Sequence, residues 1–195
     1  MIRYQLSRGL AYLSIRHTDM RAYRVYIPWA LTLASLVILL ALPAKPVYLS
    51  KDGLFASVLA VAATLPGFYF AGLAAVATFG EPSMNLPMPN PAPVLDMRIG
   101  TGTVPTELTR RQFLAYLFSY LVLLSFVLCL LLIAIQIATP TAIKIHGDLI
   151  HYEWGHLYWG LIKYPVLGLV SWLCSCIITT TLQGIYFLGE RMHQP

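Results

Sequence analysis

The sequence predicts an all-α integral membrane protein with four transmembrane helices, a proline-rich cytoplasmic loop and a short periplasmic loop. Of the 195 residues, 58% are hydrophobic and 11% are charged, whereas an average soluble domain has roughly 25% charged residues. Four apolar runs are long enough to cross about 30 Å of hydrocarbon at about 1.5 Å per residue. None of them alternates with a period of two, and backbone polar groups in lipid must be satisfied internally. We therefore expect helices rather than a barrel.

The predicted spans are residues 26–42, 54–79, 113–138 and 165–188. In the second span, Pro66 precedes Gly67 and removes one helical hydrogen bond, so we expect a kink there. Pro165 stands at the predicted first position of the fourth helix, where a missing N–H costs little.

Arginine and lysine divide between the two sides of these spans. Nine arginines lie in 1–25, 80–112 and the C-terminal tail, whereas four lysines lie in the segments on the other side. Basic residues in short loops are enriched on the cytoplasmic side. We therefore expect a multi-pass protein of the bacterial inner membrane with both termini in the cytoplasm. The net charge of +5 then reports orientation, and no direct contact with nucleic acid is expected.

The chain divides into a basic cytoplasmic segment, 1–25, and a four-helix membrane domain, 26–195. Apolar residues recur at helical spacing in the first segment, at Ile2, Leu6, Leu10 and Leu13. With arginines elsewhere around the helix, this pattern is typical of an amphipathic helix that lies on anionic membrane lipid.

The loop at 80–112 is the most informative segment between spans. Its prolines hold the first half extended, Val94–Ile99 can form a strand, and Thr109 with Gln112 forms a capping-box pattern before the third helix. Two interpretations stay open: a connector packed on its own helices, or a docking site for a cytosolic partner through strand addition or proline recognition. The candidate partner-binding residues in this loop and the N-terminal segment are Arg3, Arg8, Met88, Pro89, Pro91, Pro93, Asp96, Arg98, Glu107, Arg110 and Arg111.

Small and weakly polar residues form two ladders at four-residue spacing. The small ladder in the second span is Ala63, Gly67, Ala71 and Ala75. The polar ladder in the fourth span is Ser171, Ser175, Thr179 and Gln183. Small residues let helix backbones approach closely. The ladders therefore favour packing within one subunit or contact between subunits, and a water-filled lumen is the third interpretation.

The loop at 139–164 is the predicted outer segment. Ile143–His146 and Leu149–Tyr152 flank Gly147-Asp148 in a pattern that favours a short hairpin. Its histidines recur every five residues, which places successive ones about 140° apart on a helix, so they do not predict a metal site. We expect instead a sensing surface that contacts a ligand or responds to pH, formed by His146, Asp148, His151, Glu153, Trp154 and His156.

The predicted spans contain no Asp, Glu, Lys, Arg or His, which argues against an ion-coupled transporter, a proton pump or an intramembrane protease that uses acidic residues. The chain also lacks the phosphate-binding, zinc-protease and serine-hydrolase motifs. We therefore expect no enzyme activity, catalytic residue, metal or cofactor. An enzyme that acts on lipid through the outer histidines and carboxylates is the weakest alternative.

The combination of four spans, a basic N-terminus, a proline-rich loop leading into ELTRRQF, and LPGFYFAGLAAVATF in the second span resembles one known family. These features look like the membrane subunits of Kiwa-like bacterial anti-phage defence systems, over nearly the whole chain. The resemblance implies an inner-membrane homo-oligomer, a tetramer, that senses infection at the envelope and anchors a cytosolic DNA-binding effector. We therefore expect a membrane scaffold and sensor. The alternative is an oligomeric pore or another effector that depolarises the membrane.

Overall fold

The computed structural model describes residues 8–17, 20–43, 47–48, 50, 53–78, 80, 82–88, 92–99, 102–149 and 155–189. The helices are α1 Ala11–Ser14, α2 Ile27–Ala41, α3 Leu54–Ala62, α4 Leu65–Thr78, α5 Arg110–Leu149 and α6 Gly155–Gly189. A π-helical turn, Ala22–Tyr26, leads into α2, and 3-10 turns occupy Arg8–Leu10 and Pro82–Asn85. The strands are β1 Val94–Ile99 and β2 Gly102–Glu107.

Four helical segments among the described residues are long and apolar enough to cross a membrane: Ala22–Ala41, Leu54–Thr78, Arg110–Asp148 and Gly160–Gly189. This confirms the predicted all-α, multi-pass membrane fold. Each segment overlaps one predicted span. The charged residues of these helices lie toward their ends, as Arg24, Arg110 and Lys144 do.

The second span is interrupted where the sequence predicts a kink. Helix α3 ends at Ala62, a turn follows at Ala63 and Thr64, and α4 starts at Leu65. Pro66 has no N–H to offer the carbonyl of Ala62. The Thr64 hydroxyl donates instead to the Val61 carbonyl at 2.8 Å, which satisfies one backbone group at the break.

Two predictions about the third and fourth helices are wrong. Residues 143–149 belong to α5 rather than to a hairpin, and Pro165 lies inside α6 rather than at its start. Extending an existing helix adds one hydrogen bond per residue fixed, whereas an isolated hairpin is marginal. At 40 residues, or about 60 Å at about 1.5 Å per residue, α5 is longer than the hydrocarbon core is thick.

Helix α5 is the centre of the packing. Its buried leucines recur every three or four residues along one stripe, at Leu114, Leu117, Leu121, Leu124, Leu128 and Leu132. The second span packs on α5, α5 packs on α6, and α6 packs on α2. The helices of the first and second spans also present many exposed large apolar side chains, as expected of surfaces that face lipid.

Candidate functional site

The loop between the second and third spans folds with the N-terminal segment at one end of the helices, which we call the hairpin end. Strands β1 and β2 pair antiparallel, with Leu95 opposite Thr106 and Met97 opposite Val104. The structure thus confirms the strand predicted at Val94–Ile99 and adds a second strand. Because side chains alternate between the faces of a strand, these four residues share one face. Leu95 on that face is buried against the helices.

The opposite face of the hairpin, which we call the outer face, comprises the exposed residues Asp96, Thr103, Pro105 and Glu107. In the antiparallel register the backbone of Pro105 points away from β1, so its missing N–H lies on the free edge of β2. Proline on an edge strand discourages pairing with a further strand. We therefore expect a partner to contact the side chains of the outer face rather than to add a strand along the free edge of β2.

Backbone hydrogen bonds hold the hairpin to the rest of the hairpin end. Arg16 donates its N–H to the Val94 carbonyl at 2.8 Å and accepts from the Val94 N–H at 3.1 Å. On the other side, the Met88 N–H donates to the Leu108 carbonyl at 3.2 Å. The Arg16 guanidinium also reaches Asp96 at 2.8 Å, an exposed ion pair worth about 0–1 kcal/mol.

The chain that leaves β2 is held in place by a capping box at the start of α5. The Thr109 N–H donates to Gln112 Oε1 at 3.2 Å, and the Gln112 N–H donates to Thr109 Oγ1 at 3.3 Å. This reciprocal pair confirms the predicted capping box. It satisfies two of the unpaired N–H groups where the chain turns from β2 into α5.

A buried cluster around Tyr12 and Arg24 holds the N-terminal segment on the spans. Tyr12 is 1% exposed, its ring stacks on Tyr120 at 5.0 Å, and its hydroxyl donates to Gln183 Oε1. Arg24 lies 5.0 Å above the same ring and donates to the carbonyls of Leu13 at 2.7 Å and of Ile15 at 2.8 Å. Burial raises the pKa of the Tyr12 hydroxyl, and Arg24 partly offsets this, so the phenol stays a neutral donor.

The predicted partner-binding residues do not form one exposed surface. Asp96 and Glu107 are exposed, whereas Met88, Pro93 and Arg110 are buried at the hairpin end. The other candidates with described side chains contact helices: Arg8 donates to the Tyr116 hydroxyl at 3.3 Å, and Arg111 to the Ala77 carbonyl at 3.5 Å. Arg98 lies in β1, and its side chain is outside the described residues, as are Arg3, Pro89 and Pro91.

The small ladder of the second span lies on an exposed side of the helices. Its members are exposed, and a Cβ added at Gly67 would meet no atom of a described residue within 4 Å. The close approach to α5 occurs instead at Gly72, where an added Cβ would lie 2.7 Å from Phe118 Cε1. Sequence reasoning missed Gly72 because it chose the ladder with the longest four-residue repeat.

The polar ladder of the fourth span faces the first span and the N-terminal segment. Ser175 and Thr179 are buried, and the Thr32 hydroxyl donates to Ser175 Oγ at 3.2 Å. Gln183 accepts the Tyr12 hydrogen bond, and Ser171 is half-buried. Most of the polar atoms of this ladder thus have partners inside a single chain.

The predicted sensing surface lies at the other end of the helices, which we call the far end. His146 is half-buried and Asp148 is exposed near the end of α5, and His156 lies in the first turn of α6. His151, Glu153 and Trp154 are outside the described residues. Within the described part of the chain, no three His, Cys, Asp or Glu residues are gathered as a metal site would require.

A cleft of about 620 Å³ opens at the hairpin end, between the N-terminal segment, the loop at 80–112 and the ends of the spans.

Comparison of the chain with protein-family models, curated proteins and solved structures finds no match in any of the three.

Proposed function

We propose that this chain is a non-enzymatic scaffold and sensor subunit of the bacterial inner membrane that forms homo-oligomers and anchors a cytosolic effector. The family resemblance implies that this effector binds DNA. The observation that carries the proposal is the hairpin, which is held at both sides by backbone hydrogen bonds and leaves its outer face exposed. A surface fixed in this way loses little conformational entropy when a partner binds. The resemblance found in the sequence supplies the setting, anti-phage defence.

Two further features support the oligomer and the sensor. The small ladder is exposed, so it is available for close contact with a second copy. At the far end, α5 continues to Leu149 and carries exposed polar residues such as Lys144 and Asp148 beyond the predicted third span. An extension of this kind is suited to contact with molecules outside the membrane.

The test is co-purification in mild detergent with the product of the neighbouring gene. Thr103→Arg combined with Glu107→Arg places two new cations on the outer face and leaves the packed face unchanged. We expect the partner-to-subunit ratio to fall by roughly tenfold or more, because tenfold corresponds to only about 1.4 kcal/mol. The control is Ser14→Arg, which adds a cation at an exposed position of the same end outside the hairpin.

These substitutions are sharper than removal of the loop, because a deletion would also remove the buried side chains of Met88 and Leu95. Equal partner retention by the hairpin variant and the control would exclude the outer face as the docking site. If the wild-type chain retained no neighbour product, the scaffold proposal itself would fail.

A further inference from the structure

The cleft at the hairpin end has the size of a ligand site. Its volume of about 620 Å³ lies within the range of about 300–1,000 Å³ that small-molecule sites occupy. It lies where the helix of the first span begins and the helix of the fourth span ends, beside Tyr26 and Phe187. A bound molecule would therefore sit at the boundary between water and hydrocarbon.

The cleft carries a cation at one side. Arg21 belongs to its lining, and none of the described lining residues is Asp or Glu. Arg21 is exposed and has no hydrogen-bond or ion-pair partner among the described residues. The neighbouring Arg24 is instead directed at backbone carbonyls and at the ring of Tyr12. Arg21 thus offers an available guanidinium, the group that binds phosphate oxygens in a bidentate manner.

Gln183 also lines the cleft, and much of the remaining wall is apolar. Met20, Met88, Phe113 and Phe187 are buried around the cleft. Methionine and aromatic side chains fit irregular apolar ligands well, because thioethers are unbranched and polarisable. This part of the cleft is suited to hydrocarbon rather than to a free polar solute.

One side of the cleft opens toward the lipid-facing surface. Tyr26 and Ile27 are 63% and 37% exposed at the start of the first span, and Tyr186 is 51% exposed near the end of the fourth. Arg21 and Ile27 are six residues apart, which corresponds to roughly 9 Å along a helix. The π-helical turn between them forms part of the wall through Ala22 and Tyr23, and turns of this type are frequent at functional sites.

We propose that the cleft binds one anionic phospholipid, with its phosphate at Arg21 and one acyl chain passing Ile27 and Tyr186. The ligand follows from the order of the lining: a cation at the water side, apolar walls behind it and an opening toward hydrocarbon. A soluble phosphate would use only the first of these features, and a protein segment would not need the opening toward lipid. The site is independent of the proposed anchoring of an effector.

The experiment is native mass spectrometry of the full chain in detergent, with phosphatidylglycerol, phosphatidylcholine and inorganic phosphate as separate probes. We expect one phosphatidylglycerol per chain to remain bound, and phosphatidylcholine to bind at least about tenfold more weakly. Arg21→Gln should weaken phosphatidylglycerol about tenfold, since a hydrogen bond to a charged group commonly accounts for that factor. Arg8→Gln removes the same charge at the same end but outside the cleft and should change binding less than about twofold.

A second variant tests the acyl chain. Ala22→Trp fills the wall of the cleft and should abolish retention of phosphatidylglycerol without removing a charge. Arg21→Gln alters an exposed side chain, so the proposal stays testable even where Ala22→Trp does not fold.

Four results would overturn the proposal. The first is equal retention of the two lipids by the wild-type chain, and the second is an equal effect of Arg21→Gln and Arg8→Gln. The third is displacement of phosphatidylglycerol by millimolar inorganic phosphate, which would indicate a site for free phosphate. The fourth is a cleft that is protected by a bound protein while no lipid is retained, which would assign the cleft to a protein segment.

Discussion

Arg24 connects several parts of the hairpin end. It lies in the turn that opens the first span, stacks on Tyr12, and donates to two carbonyls where α1 ends. The last carbonyls of a helix have no intrahelical donor, so a guanidinium at this position satisfies groups that would otherwise be unpaired. Through Tyr12 the same contact reaches Gln183 near the end of the fourth span.

Replacement of Arg24 by lysine tests this connection. Arg24→Lys keeps the charge but loses the planar fork that reaches both carbonyls, and we expect the docking of residues 8–16 to weaken by about 1–3 kcal/mol. Hydrogen exchange of this segment in detergent measures the change. Arg111→Lys, at a residue that lies outside the cleft and donates to the Ala77 carbonyl of the second span, is the control and should leave exchange unaltered. Equal exchange in all three proteins would show that Arg24 does not hold the segment.

The second span shows how two glycines of one helix differ in their surroundings. Gly72 faces Phe118 at close range, whereas Gly67 has open space in this chain. We expect Gly72→Leu to cost about 1–3 kcal/mol, because an overpacked contact forces side chains or backbone to shift. Thermal unfolding in detergent provides the measurement.

Gly67→Leu is the matched variant for the oligomer. It should leave the unfolding temperature of a single chain nearly unchanged, since no described residue lies within 4 Å of a Cβ added there. If the small ladder contacts a second copy, the same variant should reduce the oligomer seen by mass photometry. An unchanged oligomer would remove the small ladder from the subunit contact.

The elements that local sequence signals specify were predictable, and those that depend on distant partners were not. The capping box at Thr109 and Gln112 and the break in the second span follow from neighbouring residues. By contrast, Arg16 pairs with Val94 and Tyr12 with Gln183, contacts between segments far apart in the chain. At Gly147-Asp148 the local turn pattern gave a wrong prediction of a hairpin, because α5 continues through these residues to Leu149.

The first span packs on the fourth, the fourth on the third, and the third on the second. Lipid and other subunits therefore have access to large parts of the first and second spans, whose exposed side chains are mostly apolar.

The candidate site was only partly predictable from the sequence. Sequence reasoning selected the correct loop, but it could not tell exposed Glu107 from buried Met88 and Pro93, because burial there depends on the arrangement of the whole hairpin end.

The packing of the polar ladder bears on the alternative of a pore. Because Ser175 and Thr179 are buried against other segments of the same chain, we expect purified protein in planar bilayers to show no current above that of protein-free membranes. A pore of known conductance in the same bilayers is the control. A steady conductance that Gln183→Leu abolishes would favour the pore over the scaffold.

The scaffold account requires the hairpin end to face the cytoplasm, and cysteine accessibility measures this directly. In a background without the native cysteines, Thr103→Cys reports on the hairpin and Asp148→Cys on the far end, both at exposed positions. An impermeant maleimide should label position 148 but not position 103 in intact spheroplasts, and position 103 but not position 148 in inverted vesicles. The reverse pattern would place the hairpin outside the cell, where no cytosolic effector can reach it, and would contradict the account.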